Sequence, residues 1–216
     1  MKNWFFSALL LLALAACNSG EAPAATAATD TSATPATETE AAAEYEIESI
    51  PGSSTVIAIK HNKSGDVIEK GFLENGVKTG TWLIFEKRPY TFPNKIINYQ
   101  NGQYSGPYYE LNERGQIELS AYYVNNKLDG KWGKYKFGRP TAEAEYTAGE
   151  LDGVYKEYFL KDGSIQKEIH YRQGRQHGPY RFYNEEGQVT LEYEYENGEK
   201  VGGGIVEPSK PAASNE

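Results

Sequence analysis

The 216-residue chain has a single cysteine and a single methionine, and its 22 lysine and arginine residues are outnumbered by 30 aspartate and glutamate residues. One thiol excludes an intrachain disulfide, so a folded domain must be stable without one. The acidic balance, with no basic cluster, argues against nucleic acid as a partner and against charge-driven binding to anionic lipid. The main apolar run, Trp4 to Ala16, is too short to span a bilayer.

This apolar run follows the basic residue Lys2, as the hydrophobic region of a secretory signal does. It ends in Leu14-Ala15-Ala16-Cys17, which resembles the lipobox of bacterial lipoproteins. The resemblance implies that residues 1–16 are a signal peptide and that the Cys17 thiol carries the lipid. The alternative is an ordinary signal peptide in which Cys17 has no role.

A lipid on Cys17 makes the membrane the first predicted partner. Each buried methylene contributes about 0.8 kcal/mol and stable anchoring needs two chains, so the roughly three chains of a processed lipoprotein would hold the protein in place. Asn18 follows the cysteine, where aspartate would resemble an inner-membrane retention signal. The resemblance therefore predicts a cell-envelope protein, anchored in the outer membrane.

Composition divides the rest of the chain. Residues 17–44 are rich in Ala, Thr, Glu, Pro and Ser and have no aromatic residue, so they predict a disordered linker that cannot bury enough apolar surface to fold. A second disordered segment is predicted at residues 208–216. Residues 45–207 lie between them and are long enough for one domain.

The predicted domain is an internal repeat with a period of 23 to 26 residues. A unit has a glycine, a second glycine four residues later, an aromatic residue two positions after that, and usually another aromatic three positions further on. Asn126 replaces the first glycine in the third unit, and the last unit lacks the aromatic residues. The glycines, predicted to bracket a short turn, are Gly76, Gly80, Gly102, Gly106, Gly130, Gly149, Gly153, Gly174, Gly178 and Gly198. The aromatic residues two positions after the second glycine are Trp82, Tyr108, Trp132, Tyr155 and Tyr180.

Between the glycines, apolar and polar residues alternate, as in Val189, Leu191 and Tyr193, and further turn signals follow at glycines such as Gly187. This pattern predicts β-hairpins and no helix. A single hairpin is too small to be stable, so the units are expected to stack into one elongated antiparallel sheet. Residues 54–60 predict a strand that caps its amino-terminal edge. Substitution by valine at Gly203, outside the repeat pattern, is expected to matter less than at Gly178.

The repeated motif Tyr-x-Asn-Gly-x-x-x-Gly-x-Trp/Tyr-x-x-Tyr resembles the bacterial variant of the MORN repeat, found in proteins often named YwqK-type antitoxins. The resemblance covers residues 65–205. It implies an all-β sheet of stacked hairpins and a non-catalytic interaction role, and it names no partner.

Signals for catalysis and for cofactors are weak. The three histidines do not have the spacing of metal ligands, and we expect them to be solvated; they are His61, His170 and His177. No serine lies in a nucleophile-elbow context, and paired glutamates such as Glu143 and Glu145 are expected to be a solvated strand face. We therefore predict neither a catalytic residue, nor a metal site, nor a cofactor.

Three functional hypotheses remain open. The first is an interaction module that binds a protein or a glycan at the envelope, with the five repeated aromatic residues forming a docking ladder along the sheet. The second is a structural spacer of the envelope, in which the same aromatic residues are only the packed face of the sheet. An antitoxin-like protein that neutralises a toxin is the third.

Overall fold

The computed structural model describes residues 44–207. Cys17, the predicted signal peptide, nearly all of the predicted linker and the segment at 208–216 lie outside the described residues. Every regular element between residues 44 and 207 is a β-strand. No helix in this part of the chain is long and apolar enough to cross a membrane.

Sixteen strands form one antiparallel sheet, which confirms the predicted all-β architecture of stacked hairpins. The strands are β1 Glu46–Ser49, β2 Thr55–His61, β3 Val67–Glu74, β4 Val77–Ile84, β5 Lys95–Gln100, β6 Gln103–Leu111, β7 Ile117–Val124, β8 Lys127–Leu128, β9 Gly130–Lys136, β10 Arg139–Thr147, β11 Glu150–Leu151, β12 Gly153–Tyr158, β13 Ile165–Arg172, β14 Arg175–Tyr183, β15 Val189–Glu196 and β16 Glu199–Ile205.

The order of strands in the sheet is their order in the chain. The two-residue strands β8 and β11 pair only with β7 and β10, and β9 and β12 continue from them. At the amino-terminal edge the prediction was wrong in one respect. The strand predicted as the cap is β2, but β1 pairs with its outer side and is the edge strand.

Each hairpin reverses at the first glycine of its unit, or at Asn126 in the third unit, and at the residue before it. Asn101 has φ 51° and Gly102 has φ 76°, and Gln100 pairs directly with Gln103. Two consecutive positive φ values define the two-residue turn that fits the right-handed twist of paired strands. The turn is therefore shorter than the predicted loop between two glycines.

The second glycine of each unit lies in or at the start of the returning strand. In the first unit Lys70 pairs with Leu83 but Phe72 pairs with Thr79, so β4 bulges around Gly80. At Gly178 the backbone has φ 101°, and a Cβ there would lie 3.3 Å from the Cβ of His170. The repeated glycine thus permits a bend that a larger residue would strain. The other second glycines with positive φ are Gly80, Gly106, Gly130 and Gly153.

One hydrogen bond joins each hairpin turn to the preceding unit. Gly102 donates its N–H to the carbonyl of Lys78 at 2.9 Å, and Gly198 donates to Gln176 at 2.8 Å. The same bond recurs from Asn126 to Tyr104, from Gly149 to Leu128 and from Gly174 to Leu151. Successive units are therefore connected at their turns as well as along their strands.

The surroundings of Gly203 contradict the expectation that substitution matters less there than at Gly178. Its φ is 90°, and a Cβ there would overlap the carbonyl oxygen of Glu192. Gly202 and Gly204, on either side, have open space at the Cβ position. The close approach of β16 to β15 at Gly203 was not visible in the repeat pattern.

Candidate interaction surfaces

One face of the sheet, which we call the packed face, carries a row of side chains with one member from almost every strand. We call it the central row. Its residues lie opposite one another on neighbouring strands. For example, Trp82 pairs with Ile97, and Tyr155 pairs with Ile169. From β1 to β16 the row is Ile47, Ala58, Gly71, Trp82, Ile97, Tyr108, Ala121, Trp132, Ala144, Tyr155, Ile169, Tyr180, Tyr193 and Gly203.

The central row alternates rings with smaller residues through most of its length. Trp82 lies over Gly71, where any Cβ would overlap the indole ring. The indole Nε1 donates to the backbone carbonyls of Phe72 and Thr79, each at 3.1 Å. Because neighbouring strands are only about 4.8 Å apart, a ring on one strand needs a smaller neighbour on the next. The alternation lets a single sheet pack its own face.

The five aromatic residues predicted as a docking ladder belong to this row and are buried. Their exposed fractions are 0% for Trp82, 5% for Tyr108, 4% for Trp132, 3% for Tyr155 and 8% for Tyr180. Side chains covered to this degree are the core of the domain and offer no surface to a partner. The interpretation as an exposed ladder is therefore corrected: flanking rings cover these side chains, as Tyr104 and Tyr123 cover Tyr108.

Two phenol groups of the central row donate to glutamates two residues further along their strands. The Tyr108 hydroxyl lies 2.7 Å from Glu110 Oε1, and the Tyr155 hydroxyl lies 2.8 Å from Glu157 Oε1. Burial, and then the adjacent carboxylate, raises the pKa of both phenols above the ordinary value of 10.0. The buried Lys167 ammonium lies 3.3 Å from Glu157. The rim of the core is thus polar, with its groups paired.

At the amino-terminal end, aromatic rings surround an ammonium group. Lys78 Nζ lies 4.3 Å from the Trp82 ring centroid, 5.4 Å from Tyr99 and 5.9 Å from Tyr45. It also lies 2.5 Å from Glu69 Oε1. The chain's own lysine fills this aromatic cage, so the cage closes the end of the core and leaves no room for an external cation.

The opposite face, which we call the open face, carries charge on its carboxy-terminal half. Glu143, Lys156, Glu168, Arg181 and Glu192 are successive cross-strand partners on β10, β12, β13, β14 and β15, and their charges alternate in sign. Arg181 lies 2.7 Å from Glu192 and 3.7 Å from Glu168. Lys156 lies 4.0 Å from Glu168. We call these five residues the charged row.

Three neighbouring strands in the amino-terminal half of the open face have apolar residues at the equivalent positions. Leu83, Ile96 and Tyr109 are successive partners on β4, β5 and β6, and each is half-buried. Nearby, Pro107 is exposed and its partner Tyr122 is 46% exposed. We call Leu83, Ile96 and Tyr109 the apolar row.

Two small residues separate the apolar row from the charged row. Tyr109 pairs with Ser120, Ser120 pairs with Gly133, and Gly133 pairs with Glu143. The other units have leucine, tyrosine, lysine or arginine at the position of Gly133. The Tyr135 ring lies over Gly133, where a Cβ would be 2.8 Å from the phenol oxygen. A shallow depression results.

Groups of both charges line this depression beside Ser120, Tyr135 and Glu143. They include Lys131 and its cross-strand partner Glu145, neither of which forms an ion pair within residues 44–207. The depression combines hydroxyls, a ring and unpaired charges, which can hydrogen-bond to and stack on a polar ligand. This depression was not predicted from the sequence. The signal that could have found it is the departure from the repeat at Gly133.

The histidines lie apart from one another in the sheet. His170 Nε2 lies 3.0 Å from Glu168, His61 Nδ1 lies 3.6 Å from Glu46, and His177 Nδ1 accepts from the Asn197 backbone at 3.5 Å. In the part of the chain that the structure describes, no three His, Cys, Asp or Glu residues are grouped to hold a metal ion. Comparison of the chain with protein-family models and with curated proteins gives no match.

Proposed function

We propose that this protein is a lipid-anchored lipoprotein of the cell envelope whose repeat domain is a non-catalytic interaction module. The resemblance to the lipobox at Cys17 and to the MORN repeat supports the two parts of this proposal. The observation that carries the second part is the depression at Ser120 and Gly133, where the open face departs from its own repeat.

The open face is better suited to binding than the packed face. The side chains of its apolar row and charged row are half-buried, whereas the predicted aromatic ladder is core. A partner that covers the depression also reaches the apolar row on one side and the charged row on the other. Such a footprint spans several units, as a specific interface of about 800 Å² per partner requires. The partner is an envelope protein or a glycan.

A structural spacer is the second candidate, and one observation favours it. The hydrogen bonds from hairpin turns to the preceding units recur five times, and the central row is continuous between them. A sheet connected in this way resists bending between units. A spacer needs no partner on the open face, which separates the two candidates experimentally.

The binding proposal is tested by exchanging charges in the depression. Lys131→Glu combined with Glu145→Lys keeps an opposite pair across β9 and β10 and exchanges the positions of the charges. We expect the exchange to leave the free energy of unfolding within about 0.5 kcal/mol of the native value, since surface substitutions have small effects. Capture of a partner from solubilised envelope should fall at least tenfold.

The matched control is Lys127→Glu, an exposed charge reversal near a hairpin turn away from the depression. It should leave capture unchanged. Equal capture by the exchanged and native proteins would reject the depression as the binding site and would favour the spacer.

The anchor is tested by Cys17→Ser. We expect this variant to lose its lipid and to move from the membrane to the soluble fraction. A variant that stays in the membrane after a high-salt wash would reject the lipid anchor and leave the binding proposal intact.

A further inference from the structure

The two edges of the sheet are protected to different degrees. The edge strand β1 has four residues, and Glu46 and Glu48 place charge along it. At the other edge, residues 201–206 are uncharged, and Val201 and Ile205 are 58% and 85% exposed. Charges and short strands are the usual protection of a sheet edge against pairing with another strand. The middle of β16 has neither.

Within residues 44–207, no strand pairs with the outer side of β16. Val206 donates its N–H to Thr190 at 2.9 Å. Because hydrogen-bonded residues alternate along an antiparallel strand, Gly204 also directs its backbone groups towards β15. Gly203 and Ile205 alternate with these two residues and direct their backbone groups outward, away from β15. Val201 lies at the bulge and has no partner on β15.

The sequence of β16 is close to a palindrome about Gly203. It reads Val201, Gly202, Gly203, Gly204, Ile205, with an apolar β-branched residue at each end and glycine between. If two copies pair antiparallel with Gly203 opposite Gly203, then Val201 faces the second copy's Ile205, and Gly202 faces the second copy's Gly204. The outward-directed groups of Gly203 then exchange two hydrogen bonds.

We propose that a second copy of this chain occupies the β16 edge, so that two sheets join antiparallel through their last strands about a two-fold axis. A two-fold interface must be complementary to itself, and the near-palindrome meets this condition. Pairing covers Val201 and Ile205 and extends the central row from Tyr193 and Gly203 into the second copy. The contact uses neither Cys17 nor the depression, so its test does not depend on the proposed function.

Cross-linking tests the register directly. The 216-residue chain carries Cys17→Ser throughout, so that introduced cysteines are the only thiols. Gly202 and Gly204 face each other as a pair without hydrogen bonds, with Cα atoms about 4.5 Å apart, which a disulfide can span. Both glycines have room for a side chain.

We expect a mixture of Gly202→Cys and Gly204→Cys chains to form a disulfide-linked dimer on mild oxidation. Neither variant alone should do so, because identical positions are offset by two residues along the strand. No cross-link in the mixture, or equal cross-linking by each variant alone, would overturn the register.

Sedimentation equilibrium of the Cys17→Ser chain tests the dimer itself. Val201→Lys with Ile205→Lys places like charges opposite each other across the axis and should raise the dimer dissociation constant at least tenfold. Val124→Lys is the control, since Val124 is 40% exposed but lies on an interior strand. A monomeric parent chain, or an equally strong dimer in the double variant, would overturn the proposal.

Discussion

The packed and open faces of this sheet use the same strands in the same register and have different constraints. On the packed face, each large ring of the central row lies beside a smaller residue on the next strand through most of the row. The central row is buried from Ala58 to Tyr180. On the open face, the residue three positions after the second glycine differs from unit to unit: it is Leu83, Tyr109, Gly133, Lys156 and Arg181. The packed face therefore specifies the fold, and the open face can vary without changing it.

Of the changes that separate the two faces, alkaline pH should have the largest effect, because it acts on the phenols of the packed face. The pKa values of Tyr108 and Tyr155 are raised in the folded protein above the ordinary 10.0 by burial and by Glu110 and Glu157. A raised folded pKa means that the stabilisation is fully present below pH 10 and is lost as the pH rises towards the folded pKa. We expect the domain to unfold above about pH 10 as these phenols ionise.

Tyrosinate absorbance and far-ultraviolet circular dichroism, followed together, test this expectation. Part of the tyrosinate signal should appear only as the strand signal disappears. Tyr108→Phe with Tyr155→Phe should move the transition to higher pH. Complete ionisation of the tyrosines with the strand signal intact would show that the packed face does not bury its phenols.

A substitution of adjacent residues compares the faces directly. Trp82→Ala empties a fully buried position, and we expect a loss of about 3–5 kcal/mol in the free energy of unfolding. Leu83→Ala changes the next residue, half-buried on the open face, and should cost about 1 kcal/mol. Denaturant unfolding measures both. Similar losses would mean that the two faces contribute equally to the core.

The bend at the second glycine gives an intermediate effect. Gly178→Val places a β-branched side chain at φ 101° against His170, and we expect a loss of about 1–3 kcal/mol. Gly204→Val is the control, because its Cβ position is open, and should cost less than about 0.5 kcal/mol. Thermal unfolding of the two variants checks the difference. Equal losses would remove the special role of the repeated glycine.

The smallest expected effect belongs to the charged row. Arg181→Met removes the cation between Glu168 and Glu192 and should cost about 0.5–1 kcal/mol, since the Arg181 side chain is 34% exposed and solvent screens it. The difference from the native protein should shrink in 1 M salt, where screening is stronger. A loss that is larger or independent of salt would mean that the charged row is part of the fold.

The repeat allowed much of the fold to be predicted, because each unit contains its own turn and its own alternation. The all-β class and the stacking of hairpins followed from Gly102, Tyr108 and their equivalents. The position of the turn did not, because Gly102 and Gly106 both have positive φ and only pairing shows which one reverses the chain. The edge strand β1 lies before the repeats and carries none of their signals.

The candidate site was predicted less well than the fold. Tyr155 and its equivalents were recognised as important, but alternation alone gives two faces without saying which one is covered. The burial of Trp82 depends on Gly71, nine residues before Gly80 and on another strand. The depression needed the cross-strand partners Ser120, Gly133 and Glu143, which are distant in sequence and become neighbours only through the register.

The order of strands has a consequence for how such a protein can change in length. Every ladder joins strands that are consecutive in the chain or separated only by the two-residue strands β8 and β11, so no strand is threaded between distant parts of the chain. Duplication of one unit would add two strands, or about 9.6 Å measured along the sheet, without disturbing the pairing elsewhere. Loss of a unit would shorten the sheet by the same step. The number of repeats therefore sets the length of the domain measured across its strands.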